Sequence, residues 1–211
     1  TGLIVLIGKW VLTTACEQNM AWQAQGLPPL SMAVNLTARQ FFDEHLLDDL
    51  KAILAAANMA PNLLELEISE TLLMRDVERT LRILTVLKQM GIRIAIDDFG
   101  IGYSSLSTLQ QFPVDTIKID QSFVRDITSD IADEDLTEAI IAMGRTLSLT
   151  VVAQGVETKE QADYLFENAC DEIQGFYFKR PLPADQIATL LLAQTDAPVE
   201  TDANARTPRA A

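Results

Sequence analysis

The sequence predicts an α/β fold of the TIM-like (β/α)8 barrel type, here lacking its first two strands. Three observations carry that expectation. Short apolar, β-branched runs alternate with amphipathic helical stretches, polar residues gather at the ends of those runs, and six runs are found where a complete barrel has eight strands in about 250 residues. Strand after helix after strand implies parallel pairing through right-handed crossovers. A complete six-stranded open sheet is the alternative that the pattern leaves.

The chain opens on an amphipathic helix, "TGLIVLIGKWVLTTAC", with no initiator methionine and no strand before it. The strand candidates follow in order: "SMAVNL" (31–36), "LLELEIS" (63–69), "RIAIDD" (93–98), "TIKID" (116–120), "TVVAQGV" (150–156) and "IQGFYF" (173–178). Between them, apolar residues return at three- and four-residue spacing over 40–58, 77–90, 134–148 and 158–169, the period of a helix with one buried face. Pro61 and Gly91 stand just beyond two of these runs, where helices stop. Asp133, Glu134 and Asp135 open another, where carboxylates complement the helix dipole.

The 211 residues, 48% hydrophobic, suit one domain with its own core, expected over 1–193. From about Gln194 the chain loses its large apolar residues and is expected to be a disordered tail. No run reaches the roughly 18 apolar residues of a membrane span, and no secretory signal is visible, so a cytoplasmic setting is expected. Cys16 and Cys170 read as buried, inert thiols. His45, the one histidine, reads as a solvent-exposed residue at a helix start; Phe41, Phe42 and Trp22 read as packing residues.

The formal charge of −14, from 30 acidic and 16 basic residues, repels a phosphate backbone and argues against duplex nucleic acid as a partner. An anionic ligand would need divalent cations to reverse the local sign.

Polar residues on the predicted strands supply the donors. Asn35 and Glu67 lie near the ends of the first two, Asp97 and Asp98 end the third, Lys118 lies in the fourth, Gln154 and Glu157 close the fifth, and Gln174 lies in the sixth. Parallel α/β folds place their sites at the carboxyl ends of the strands, so these residues should converge on one mouth. Strand alternation sets Leu64, Leu66 and Ile68 against Glu65, Glu67 and Ser69, and Ile117 and Ile119 against Thr116, Lys118 and Asp120. The apolar face should meet the helices and the polar face should point inward. Glu65 and Arg93, one layer deeper, read as a structural ion pair.

Asn35, Glu67, Asp97 and Asp98 are hard oxygen donors without a Cys or His cluster, which selects Mg²⁺ or Mn²⁺ over structural zinc. Two adjacent aspartates suit a two-metal phosphodiester hydrolysis, with Lys118 orienting the nucleophile or neutralising charge on phosphorus. The glycines of "FGIGYSS" permit close approach of backbone to this centre. Arg180, in "FKRP", fits either a phosphate or a salt bridge at the rim.

"VNLTARQF", "LELEISE", "IDDFGIGYSSL", "DTIKID", "VVAQGVET" and "IQGFYFKRP" closely resemble the EAL domain, the bacterial cyclic di-GMP phosphodiesterase module, from Thr1 to about Leu192. The resemblance implies a barrel that hydrolyses cyclic di-GMP to linear pGpG with two Mg²⁺ or Mn²⁺ ions. It makes Asn35, Glu67, Asp97 and Asp98 metal ligands, gives Lys118 a catalytic role and assigns Glu70 to bracing the glycine loop. Glu157 and Gln174 would complete the hydrogen-bonding shell. It further implies a homodimer and an upstream sensory or GGDEF-type diguanylate cyclase module, through which the parent protein is expected to reach a membrane anchor where it has one.

Two departures stand out. The Glu-Ala-Leu motif and the arginine that follows it are absent, the chain beginning after them. Gln154 stands where the family usually has glutamate, which keeps a carbonyl donor and removes a charge and its basicity. A degenerate domain that binds cyclic di-GMP or a protein without cleaving is therefore the second expectation, and a Mg²⁺-dependent proton abstractor using Lys118 a distant third.

Overall fold

The computed structural model describes residues 2–102, 106–127, 131–195 and 209–210. Helix α1 (Leu3–Ala24) leads into β1 (Met32–Asn35), followed by α2 (Ala38–Phe41), α3 (Leu46–Ala57), β2 (Leu64–Ser69), α4 (Glu70–Leu73), α5 (Val77–Gln89) and β3 (Arg93–Phe99). The chain continues through α6 (Leu106–Leu109), β4 (Thr116–Ile119), α7 (Gln121–Arg125), α8 (Ile131–Leu147), β5 (Thr150–Gln154), α9 (Lys159–Glu167), β6 (Glu172–Gln174), α10 (Ala184–Thr195) and β7 (Arg209–Ala210).

The strands form one sheet in chain order, every pair parallel, as right-handed β-α-β crossovers require. Among the described residues β1 and β7 do not pair with each other, so the barrel-like curl is open. The sheet's helix-facing side carries Leu64, Leu66, Ile68, Ile94, Ile96, Ile117, Ile119, Val151 and Ile173, all nearly inaccessible and in one cluster with Leu50 and Leu54 of α3 and Leu84 and Leu87 of α5. Each such fully buried Leu or Ile contributes about 1.5–3 kcal/mol against the unfolded chain. The core thus fixes which side of every strand is left for polar groups.

The helical run expected over 40–58 is two helices. Thr37 and Gln40 form a reciprocal capping box that starts α2, and the chain turns over 42–45 before α3. Asp49, in the first turn of α3, ties it to Lys9 of α1 at 2.6 Å. The run expected as a strand to 178 leaves the sheet after Gln174, and Gly175 permits a close approach to Val156, whose carbonyl oxygen would lie 2.0 Å from a Cβ there. Val156 donates its N–H to Gln174 O (3.1 Å) and accepts from Tyr177 N–H (3.0 Å), pinning this turn to the end of β5.

Helix α10 extends to Thr195, two residues past the expected boundary at 193, and Arg209–Ala210 pair with Glu172 and Ile173 of β6 rather than standing free of the fold. The rest of the expected tail, 196–208 and 211, lies outside the described residues. Asp133 and Glu134 occupy the first turn of α8, and His45 is exposed at the start of α3. Trp22 is buried and donates its indole N–H to Ala184 O (3.1 Å), tying α1 to α10. Phe41 is fully buried, and Phe42 is half-buried under the Arg79 guanidinium. Both cysteines are buried and free; burial raises the Cys16 thiol and pushes Cys170 up to about 12, which keeps it protonated. Among the described residues no helix is long and apolar enough to cross a membrane.

Candidate active site

Two polar layers lie on the inner side of the sheet. In the lower one, Glu65 of β2 and Arg93 of β3 are register partners, and Arg93 Nε lies 3.2 Å from Glu65 Oε2. Thr116 Oγ1 of β4 donates to the same carboxylate oxygen at 3.1 Å. This is the structural pair that strand alternation predicts.

The upper layer begins two residues further along β2. Glu67 is 5% exposed and receives Lys118 Nζ of β4 on Oε1 (2.5 Å) and Asn35 Nδ2 of β1 on Oε2 (2.9 Å). The Asn35 contact follows from register, since Asn35 and Glu67 are paired across β1 and β2. Lys118, equally buried, also lies 4.0 Å from Asp97 Oδ1 of β3, and that oxygen accepts from Gln154 Nε2 of β5 at 2.9 Å. Five adjacent strands therefore join in one chain of contacts, Asn35–Glu67–Lys118–Asp97–Gln154.

Asp98 joins them through an irregularity. A regular strand would turn Asp97 and Asp98 to opposite sides. Between β3 and β4, however, Ile96 pairs with Ile117 and Phe99 with Ile119, so three steps on β3 match two on β4, and Asp98 takes a left-handed φ of +54°. This is a β-bulge, and it brings Asp98 beside Asp120, just past β4. Partial burial, then repulsion from Asp97 and Asp120, hold the Asp98 carboxyl above its ordinary value, against a smaller opposing pull from Lys118.

Asp120 is also the N-cap of α7, accepting Ser122 N–H at 2.8 Å. The site assignment drawn from sequence omits it, although its position two residues beyond Lys118 on the same strand face was the available signal. Asp98, Asp120, Gln154, Glu157, Gln174 and Phe176 line one cavity of about 300 Å³ at the carboxyl ends of the strands.

Glu70, buried at the start of α4, accepts the N–H groups of Gly100 and Gly102 on Oε2, each at 3.1 Å. A Cβ on Gly102 would stand 2.6 Å from that carboxylate, so only glycine lets the loop close on Glu70 at this distance. Residues 103–105 of the expected glycine-rich turn lie outside the described residues. Arg180 makes no ion pair among the described residues; its guanidinium lies over the exposed Phe176 ring, 4.6 Å from the centroid. The Glu157 and Gln174 side chains are exposed on the cavity wall.

The family model of the EAL domain matches residues 1–181. The chain belongs to the EAL domain family. It is 45% identical over 194 residues to the signaling protein YkoW of Bacillus subtilis, covering 92% of this chain and 24% of that protein. Over 187 residues it is 44% identical to the bifunctional diguanylate cyclase/cyclic di-GMP phosphodiesterase MucR of Pseudomonas aeruginosa, covering 89% of this chain and 27% of that one. The structure of the PaMucR phosphodiesterase in complex with c-di-GMP superposes with a TM-score of 0.86 at 44% identity, over 89% of this chain and 76% of that chain. This EAL chain spans about a quarter of the length of these curated relatives.

The donor set of this EAL domain fits a hard divalent cation. It offers carboxylates and an amide oxygen without sulfur or imidazole, and Asp98 stands against the like charges of Asp97 and Asp120. A cation between such groups relieves that repulsion. Among the described residues no three His, Cys, Asp or Glu side chains already form a cage; Lys118 and Gln154 bridge the carboxylates instead.

Proposed function

We propose that this EAL domain hydrolyses cyclic di-GMP to linear pGpG, as the module of a longer bacterial signalling protein. The observation that carries this reading is the buried Glu67–Lys118–Asp97 array, with Asp98 brought beside it by the bulge. Carboxylate in excess of the chain's own cations at the open end of a parallel sheet is what a cation-dependent phosphodiester site requires.

Asn35, Glu67, Asp97, Asp98 and Asp120 would hold two Mg²⁺ or Mn²⁺ ions, which supply charge neutralisation at phosphorus and acidify the attacking water. Lys118 is fixed by Glu67 at 2.5 Å, so its ammonium meets developing negative charge without rearranging. Gln154 holds the Asp97 carboxylate by donating to Oδ1, and has no proton-accepting capacity of its own near neutral pH. Glu70 keeps the Gly100–Gly102 backbone against the site. Glu157 and Gln174 on the cavity wall and Arg180 beyond Phe176 would bind the dinucleotide. A homodimer and an upstream sensory or GGDEF-type module belong to the same reading.

A second reading, a receptor that binds cyclic di-GMP without cleaving it, draws on the Gln154 contact. A neutral amide on Asp97 lowers the negative charge that holds cations. Incubation of this chain and of its longer parent with cyclic di-GMP and Mn²⁺, followed by chromatography, separates the two. Formation of pGpG that Asp97→Asn abolishes supports the enzyme; binding without product from either chain supports the receptor.

A further inference from the structure

A second cavity, of about 540 Å³, lies outside the carboxylate array, between the turn after α2 and the segment joining α4 to α5. Arg39, Arg75 and Arg79 line it together with Phe42, Asp43 and Glu44. On a chain with 16 basic residues against 30 acidic ones, three arginines around one cavity run against the composition. Asp43 and Glu44 on the same wall offset part of their charge, and the arginines remain in excess. The Asp43 carboxylate accepts His45 N–H at 3.0 Å, and the Glu44 carboxylate is 85% exposed with the His45 ring 3.6 Å away. Among the described residues Arg39, Arg75 and Arg79 form no ion pair.

Arg79 is pre-positioned: one N–H donates to Phe42 O at 2.7 Å, and the guanidinium lies 5.0 Å from the Phe42 ring centroid. The guanidinium has five N–H donors, so most remain for a ligand. Exposed arginine without a carboxylate is ordinary singly. Three around one concavity, one of them held by backbone and ring, offer the planar, multidentate donors that recognise phosphoryl oxygens.

We infer that this cavity is an anion site for a compact polyphosphate, the pyrophosphate unit of a nucleotide or inorganic pyrophosphate itself. It is separate from the carboxylate array and independent of the proposed hydrolysis.

The test is calorimetric titration of the full chain with inorganic pyrophosphate in the presence of a chelator, so that the carboxylate array holds no cation and repels the probe. Saturable binding is expected, weakened at least about tenfold by Arg39→Ala/Arg75→Ala and partly by Arg75→Lys, which keeps charge but loses the planar fork. Circular dichroism and cyclic di-GMP binding of the variants should match the parent chain. Absence of saturable heat, an affinity unchanged in the double variant, or an oligoglutamate peptide that binds more tightly and resists displacement by pyrophosphate would each overturn the assignment, the last in favour of an acidic peptide groove.

Discussion

The lower and upper polar layers of the sheet are built from the same parts and balanced differently. Each has a glutamate on β2 and a cation on a neighbouring strand: Glu65 with Arg93 below, Glu67 with Lys118 above. Below, one carboxylate meets one guanidinium whose side chain is 37% exposed, and Thr116 completes the shell. Above, one buried ammonium stands among Glu67 and Asp97, with Asp98 and Asp120 beside them. Matched charge closes the first layer as structure, whereas surplus carboxylate leaves the second waiting for positive charge from outside the chain.

Removing the upper cation breaks this contrast most severely. Lys118→Ala strands Glu67 in a buried position, and a partner-less buried charge costs about 3–5 kcal/mol in denaturant unfolding. Turnover of cyclic di-GMP by the longer parent should fall about 100-fold or more in the same variant. A stable, fully active variant would reduce the upper layer to a copy of the lower.

Gln154→Glu sharpens the contrast by adding a carboxylate where the amide now donates to Asp97. Affinity for Mn²⁺, read by calorimetry, should rise about tenfold, since ligand charge tunes cation binding in oxygen-donor sites. The cation-free protein should melt at a lower temperature than the parent chain, because Asp97 loses a donor and gains a like charge.

In the lower layer, Arg93→Ala should cost about 1 kcal/mol in urea unfolding, less than at Lys118 because water reaches the guanidinium. Adding Glu65→Gln should recover part of that loss. Equal losses for the single and double variants would reject the pair as the stabilising unit.

The smallest effect concerns Asp98. Its folded-state carboxyl lies above its ordinary value, so the folded chain holds this proton more tightly than the unfolded one. The resulting destabilisation is present at neutral pH and is relieved as pH falls through the folded-state value toward the ordinary carboxylate range. Without divalent cation, Asp98→Asn should therefore melt slightly higher than the parent chain at pH 7, and the difference should shrink on acidification. A melting point lowered at pH 7 would overturn this account.

Much of this organisation is legible in one dimension. The periods of two and 3.6 residues place the strands and helices, and alternation in "LELEIS" and "TIKI" puts Glu67 and Lys118 on one side of the sheet, because successive side chains in a strand point to opposite faces. Glu65 with Arg93 needs only that alternation and parallel register. The split between α2 and α3 is harder to see, since the apolar spacing continues across a turn that the Thr37–Gln40 box dictates locally.

The sequence by itself determined the parallel α/β architecture, the polar face and nearly all the residues on it, since each follows from local period and chain order. Tertiary structure decided three things. The bulge between β3 and β4 brought Asp98 to Asp120, the amide of Gln154 settled on Asp97, and three arginines from two separate segments gathered around one cavity. All three depend on register and on contacts between distant segments, which hydrophobic patterning does not encode.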